Sequence, residues 1–422
     1  MPMNSAIKGY RVGWLIDGSG RPAVAGSTIM VQDGRITKIM SSCEKRETDP
    51  AIPIVDLSAY TVFPALVDSH VHLVMSGSTE PSIRRNQLVS GYTQRRDTIS
   101  RHLDQHLAHG VLAVRDGGDN NGDTLRYKYD PANAPPSAVT IAAAGRARRA
   151  SGRYGKLIGF EVGENQSLAE SAFAVDSMRD HLKLVNSGLN SLTRFAIETP
   201  PQFDEDSLKA VVAAARKRGQ PIMVHANGRL PVQLAINAGC DSIEHGFFMG
   251  RDNLRRLADN DVTWVPTAVT MKAYSDYLKN QGHPSDSSFA DVSRRNLDHQ
   301  LEQIGIANDL GARLAVGTDA GSPGVHHGSA LKEELCLFVA AGFSVESAIQ
   351  CASSNGAKLM GLADRGEIAR GMRADWLAVE GPPEQVPALL HQIAYRMVAG
   401  RLIDADTWPH CPGIGAGPSD GF

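Results

Sequence analysis

Two histidines one residue apart, His70 and His72, stand in the stretch VDSHVHLV (residues 67–74), which otherwise reads as a buried strand. Side chains alternate along a strand, so His70, His72 and Asp68 share one face. Two neutral imidazoles placed that way can hold one cation between them. The alternative is a pair of buried histidines satisfied by backbone carbonyls, and an H-x-H pattern alone does not choose between them. Their position in the fold does, so the elements that carry them come next.

Residues 9–63 alternate short β-rich runs with turn residues, and QDGR (residues 32–35) marks a hairpin. Eight apolar strand candidates follow: ALVDSHVHL, GVLAVRD, SAVTIAAAG, HLKLVNSG, PIMVHANG, CDSIEHG, VTWVPTA and RLAVGTD. Helical stretches separate them. DTISRHLDQHLAHG closes on Gly110, and DEDSLKAVVAAARKRG opens with acids and ends in bases plus Gly219. Strand and helix alternating eight times predict an α/β chain, a (β/α)8 TIM barrel over residues 64–365. Hairpin texture returns after residue 365, so residues 1–63 and 366–422 are expected to form one small composite β-sandwich domain. The Gly/Pro-rich tail CPGIGAGPSDGF is expected to be loosely ordered.

In such a barrel the chemistry sits at the C-terminal ends of the strands. The first strand ends in His70 and His72, the fifth in His225, the sixth in His245 and the eighth in Asp319, while the fourth carries Lys183. Four histidines and an aspartate from four strand ends converge on one spot. They offer the nitrogen and oxygen ligands that zinc prefers, with room for water. Lys183, flanked by Leu182, Leu184 and Val185, is expected to have a depressed pKa, because burial disfavours the ammonium. Its alternative is a structural lysine reaching a carboxylate at the barrel mouth. At the mouth, Arg115, Asp116, Tyr154 and the arginines of GRARRASGRYG are weaker candidates, and His327 or His326 is expected to line the pocket. His102, His106 and His109 fall at helical spacing and are read as surface.

With 422 residues the chain can bury a sizeable core, and a formal charge of -3 without a basic stripe argues against nucleic acid or an anionic membrane as partner. Five scattered cysteines without a C-x-x-C, and an N-terminus without an apolar signal segment, point to a reducing cytoplasm. The expected partners are a small-molecule substrate and further copies of the chain in a homo-oligomer.

The segments LIDGSGRP, VQDGRITKI, PALVDSHVHL, GVLAVRDGG, AINAGCDSIEHG, GTDAGSPGVHHG and NGAKLMGLADRGEIARGMRADWLAVEG resemble, in order and spacing, the amidohydrolase superfamily of metal-dependent hydrolases. Within it they look like the imidazolonepropionase-like branch that includes prolidase-type dipeptidases. The resemblance spans nearly the whole chain. It implies two divalent metal ions, zinc first, with manganese or cobalt as alternatives. His70 and His72 would bind the more buried ion and His225 and His245 the more exposed one. Lys183 would bridge both as a carbamate, and Asp319 would ligate the buried ion and handle protons, with His245 counted beside it among the catalytic residues. Two positions depart from the prolidase-type pattern. The HAY that holds the substrate carboxylate is HAN here, with Asn227, and the GGHG after strand three is GRYG, with Tyr154. Tyr154 and Asn227 at these positions, with His327 and Arg115 from their place near the barrel mouth, are the expected substrate contacts.

The chemistry implied is attack of a metal-activated hydroxide on a carbonyl, since a bound cation lowers the pKa of water from 15.7 to about 7. Asp319 would take up the proton and pass it to the leaving nitrogen, general acid–base work worth about 10²- to 10⁴-fold. The bond is expected to be an amide-type C–N bond in a dipeptide, cyclic amide, urea or carbamate. A phosphotriesterase- or lactonase-type ester hydrolase uses the same ligands. A non-catalytic scaffold would be missing some of them, and none is missing.

Overall fold

The computed structural model of the protein describes residues 6–41, 51–133, 137–174, 178–282 and 287–405. Cys43, Cys411 and the Gly/Pro-rich tail lie outside them. The strands, in chain order, are β1 (Lys8–Leu15), β2 (Val24–Gln32), β3 (Arg35–Ser41), β4 (Ile54–Pro64), β5 (Leu66–Val71), β6 (Val111–Asp116), β7 (Thr140–Ala143), β8 (Ala147–Arg149), β9 (Gly159–Glu161), β10 (Leu182–Val185), β11 (Ile222–Ala226), β12 (Ser242–His245), β13 (Thr263–Val265), β14 (Trp376–Glu380), β15 (Tyr395–Val398) and β16 (Arg401–Asp404).

Both chain ends contribute to one seven-stranded sheet of order β16-β15-β14-β4-β1-β2-β3. The β2–β3 hairpin turns on Asp33 and Gly34, both with positive φ, as a two-residue turn matched to strand twist requires. Tyr10 packs edge-on against Trp376 at 5.5 Å, joining the N-terminal and C-terminal strands in one apolar layer.

The central strands are parallel. β5-β6-β7 form one sheet and β13-β12-β11-β10-β8-β9 another. The segment 313–320, the eighth strand candidate, forms single bridges at Leu314 and Ala320 rather than a regular strand. It lies between the two sheets: Trp264 N–H donates to Arg313 O at 2.9 Å, and Ser69 N–H donates to Val316 O at 2.9 Å. Asp319, at φ 58°, interrupts its regularity. Helices separate the strands. Helix α1 spans Pro81–Val89 and α2 spans Tyr92–Ala108, stopping at Gly110 with φ 77°. The helix Glu205–Arg216 is capped by Asp204, whose carboxylate accepts the Ser207 N–H at 2.8 Å, so its acids belong to a helix start. Among the described residues no helix is long and apolar enough to cross a membrane.

Candidate metal centre

Strand periodicity delivers part of the site and broken periodicity the rest. On β10 and β11, Val185 pairs with His225 and Lys183 with Met223, so Lys183 lies one layer below His225 on the same face. On β12 the alternation would send Glu244 and His245 to opposite faces. His245 sits at φ 67°, a conformation that costs a non-glycine residue energy, and the turn brings its ring to 5.0 Å from His70 and 4.7 Å from His225. Its carbonyl is held by the Trp264 indole at 3.0 Å and by Gln300 at 2.6 Å, which fixes the strained backbone. Asp319, also at positive φ, turns its carboxylate back toward β5 in the same way.

His70, His72 and Asp319 put one ligand atom each within 4.8 Å of one another. Hydrogen bonds on the far side of each ring set the tautomers. His70 Nδ1 faces Glu244 Oε2 at 2.7 Å and His72 Nδ1 faces the Gly118 carbonyl at 2.8 Å, so each Nδ1 is the donor and each Nε2 keeps a lone pair. Those lone pairs look at Asp319 Oδ1 from 3.5 and 3.4 Å. A cation among the three would satisfy both nitrogens and the carboxylate at once, whereas in its absence a proton on His72 is favoured by Asp319. Two further details fit a cation. His70 Nε2 is buried without a hydrogen-bond partner, and Lys183 Nζ, buried in the same way, is compatible with a cation once its own charge is removed. Gly117 passes so close that a Cβ there would come within 2.8 Å of His72 Cε1 and 3.1 Å of His70 Nε2.

Burial pushes the pKa of His70 down to about 4, with the Lys183 charge adding. Burial likewise takes His225 to about 3 and His245 well below its ordinary value. At His72 burial is outweighed by Asp319 and Asp116, and its pKa is raised. Burial would raise Asp319, but His72, His70 and His245 hold it below the usual carboxylate range. Burial lowers Lys183 to about 8 against the pull of Glu244 and Asp319, which brings a neutral amine within reach near neutral pH.

The supports around these groups are specific. His225 Nε2 donates to the Gly188 carbonyl at 3.1 Å, leaving Nδ1 as its acceptor, and His245 Nδ1 pairs with the Thr267 hydroxyl at 2.8 Å. Ser322 donates to Asp319 Oδ2 at 2.9 Å. Glu244, which sequence reasoning passed over beside the more conspicuous His245, receives His70, Arg115 and Ser242. Its signal was the two-residue alternation of Ser242 and Glu244 on one strand face. Asp68 accepts from the Thr318 hydroxyl at 2.6 Å and ties β5 to the Asp319 segment. Asp116 accepts the Leu73 N–H at 2.8 Å, so it anchors the turn after His72.

The expected substrate contacts divide. Tyr154 leans over the site with its ring 5.1 Å from His225. Asn227 is nearby, but its side chain joins the Gly188 carbonyl to the Phe247 N–H. Arg115 is not at the mouth. It is 1 % exposed and lies beneath the histidines, held by Ser242 and by Glu244, whose carboxylate offsets the cost of burying the guanidinium charge. His327 is not in the pocket either: its Nε2 donates to the Met75 carbonyl at 2.8 Å and its ring stacks on His102 at 4.0 Å. His102 and His106, read as surface, are buried with it, His106 Nε2 lying 3.1 Å from His327 Nδ1. The arginines of GRARRASGRYG serve local structure, as where Arg149 pairs with Glu161 and Arg153 donates to Pro200 O.

Comparison with known proteins finds relatives along nearly the whole chain. The imidazolonepropionase of Nocardia farcinica is 25% identical over 390 residues, covering 88% of each chain. The structure of a Xaa-Pro dipeptidase with bound methionine superposes with a TM-score of 0.78 at 24% identity, covering 94% of this chain and 100% of that one. Aspergillus niger ochratoxinase has a TM-score of 0.76 at 18% identity, covering 96% and 98%. The model of the amidohydrolase family matches residues 61–403. With the match spanning the parallel strands and every residue of the histidine cluster, the chain belongs to the amidohydrolase family, enzymes that hydrolyse C–N bonds.

Proposed function

We propose that the protein hydrolyses an amide-type C–N bond of a small molecule at a divalent metal centre held by His70, His72, His225, His245, Lys183 and Asp319. The two parallel sheets and the segment 313–320 are read as one closed (β/α)8 barrel over residues 64–365, with the chain ends as a separate small β domain. The observation that carries the reading is the convergence of three ligand atoms, His70 Nε2, His72 Nε2 and Asp319 Oδ1, within 4.8 Å of one another.

A divalent cation held there, zinc first, supplies a water of lowered pKa and a Lewis acid for the carbonyl. The chain does the rest. Asp319, ionised at neutral pH, takes the proton of the attacking water and delivers it to the leaving nitrogen, while Ser322 on Oδ2 keeps Oδ1 turned to the site. Glu244 and the Gly118 carbonyl keep the His70 and His72 lone pairs aimed inward, as outer partners of metal-binding imidazoles do. Lys183, buried without a hydrogen-bond partner and close enough to act electrostatically on both His70 and His225, would be the residue to take up carbon dioxide as a carbamate, with loss of a proton, and so help to hold a second ion. Tyr154, whose ring lies 5.1 Å from that of His225, would be the donor to the carbonyl oxygen on that side. Turnover of dipeptides, N-acyl amino acids, cyclic amides, ureas and carbamates, measured with zinc, manganese or cobalt added, tests the reading. Hydrolysis of esters or phosphotriesters only would replace it with the ester-hydrolase alternative.

A further inference from the structure

We propose that Arg84 is an anion-binding residue at the mouth of the site, and that the molecule cleaved there carries a carboxylate. Only the catalytic arm of this inference rests on the hydrolysis proposed above.

Arg84 belongs to α1, which follows the turn after His72 and buries none of its side chains. Its NH1 donates to three carbonyls, Ser76 O at 2.9 Å, Ser78 O at 3.2 Å and Gly321 O at 3.1 Å. Gly321 is two residues beyond Asp319 and lies against the end of β5: a Cβ on it would come within 2.7 Å of the His72 carbonyl. The guanidinium is thereby fastened to the loop that carries Asp319, beside the histidine pair.

All three partners are neutral, and among the described residues no carboxylate forms an ion pair with Arg84, whereas the buried Arg95 and Arg115 pair with Asp123 and Glu244. Only NH1 is spent. Nε and NH2 form the two-nitrogen edge that matches a carboxylate, and neither is among the buried polar atoms left without a partner, so solvent or a ligand reaches them. The other residues expected to hold the substrate leave this role open. Asn227 is committed to Gly188 and Phe247, and the charge of Arg115 is committed to Glu244. A half-buried arginine clamped by one nitrogen, with its bidentate edge free, is a preorganised carboxylate receptor.

Binding is measured by calorimetry with benzenesulfonyl-leucine, -phenylalanine and -proline, whose sulfonamides resist hydrolysis, each against its neutral carboxamide. Charged hydrogen bonds of this kind are worth about 10- to 100-fold in affinity, so at least one acid should bind the metal-loaded protein that much more tightly than its carboxamide. Arg84→Gln should bring the ratio near one, and Arg84→Lys, which keeps the charge but not the fork, should retain part of it. The corresponding N-benzoyl amino acids and carboxamides should show the same ratio in kcat/KM. Equal binding of acids and carboxamides, no binding of any acid, or an unchanged ratio in Arg84→Gln overturns the proposal. A purely structural clamp would alter stability in Arg84→Gln and leave the ratio alone. Selective binding of acids without hydrolysis of any N-acyl counterpart would keep the anion site and sink the proposed C–N hydrolysis.

Discussion

Replacing Glu244 by glutamine is expected to damage fold and metal site together, although the residue itself is not a ligand. Its carboxylate is fully buried, 2.7 Å from His70 Nδ1 and 3.1 Å from Arg115. Glutamine preserves the shape and one acceptor oxygen but removes the charge, and Arg115 at 1 % exposure is then left without a counter-charge. Breaking a buried pair by removing one partner costs about 3–5 kcal/mol, and the retained amide oxygen puts the expected loss near the lower figure. His70 also loses the acceptor that sets its tautomer, a change worth about 10- to 100-fold in metal affinity for outer partners of this kind. Urea unfolding of the metal-free protein reads the first effect and a competitive metal titration the second. Arg115→Met gives the cycle: the double variant with Glu244→Gln should be at least about 1 kcal/mol more stable than the sum of the single losses implies. A loss below about 1 kcal/mol in Glu244→Gln with unchanged metal affinity would refute the reasoning.

Asp319→Asn should lower kcat by at least about 10²-fold, because asparagine cannot take up the proton. A variant with full metal content and near wild-type kcat would remove Asp319 from that role. Lys183→Ala should lose the second metal ion and most activity, whereas retention of two tightly bound ions would exclude a bridging carbamate. Burial depresses the pKa of His102 to about 4 and that of His106 to about 3, against about 6.5 in the unfolded chain. Both are neutral when folded, so the stability this gives is whole above about pH 6.5 and lost as pH falls toward those values. Each adds about 1 kcal/mol per pH unit to the slope of unfolding free energy between pH 6 and 5, and His106→Gln should flatten the slope by that amount. An unchanged slope would mean that His106 is protonated in the native state.

The strand ends were legible because short apolar runs terminating in His70, His72, His225 and His245 leave little choice of element or direction, whereas the run before Asp319 forms only isolated bridges. What was not legible depends on contacts distant in sequence or on interrupted periodicity. Arg115 stands in an apolar strand and resembles a residue at its end, yet its burial depends on Glu244, 129 residues away. His245 and Asp319 reach the site through positive φ, which alternation does not anticipate. The His102–His106 pair carried a signal that the surface reading of these helical histidines passed over. Ile99, His102, Leu103 and His106 fall at i, i+3, i+4 and i+7, the buried stripe of α2.

The metal content of the chain, purified without chelator and quantified by elemental analysis, tests the central claim most directly. The expected result is one to two equivalents of divalent metal per chain, zinc first, falling in His70→Ala and His72→Ala together with activity. Well under one equivalent in the wild-type protein, with no metal uptake and no hydrolysis on adding zinc, manganese or cobalt, would contradict it.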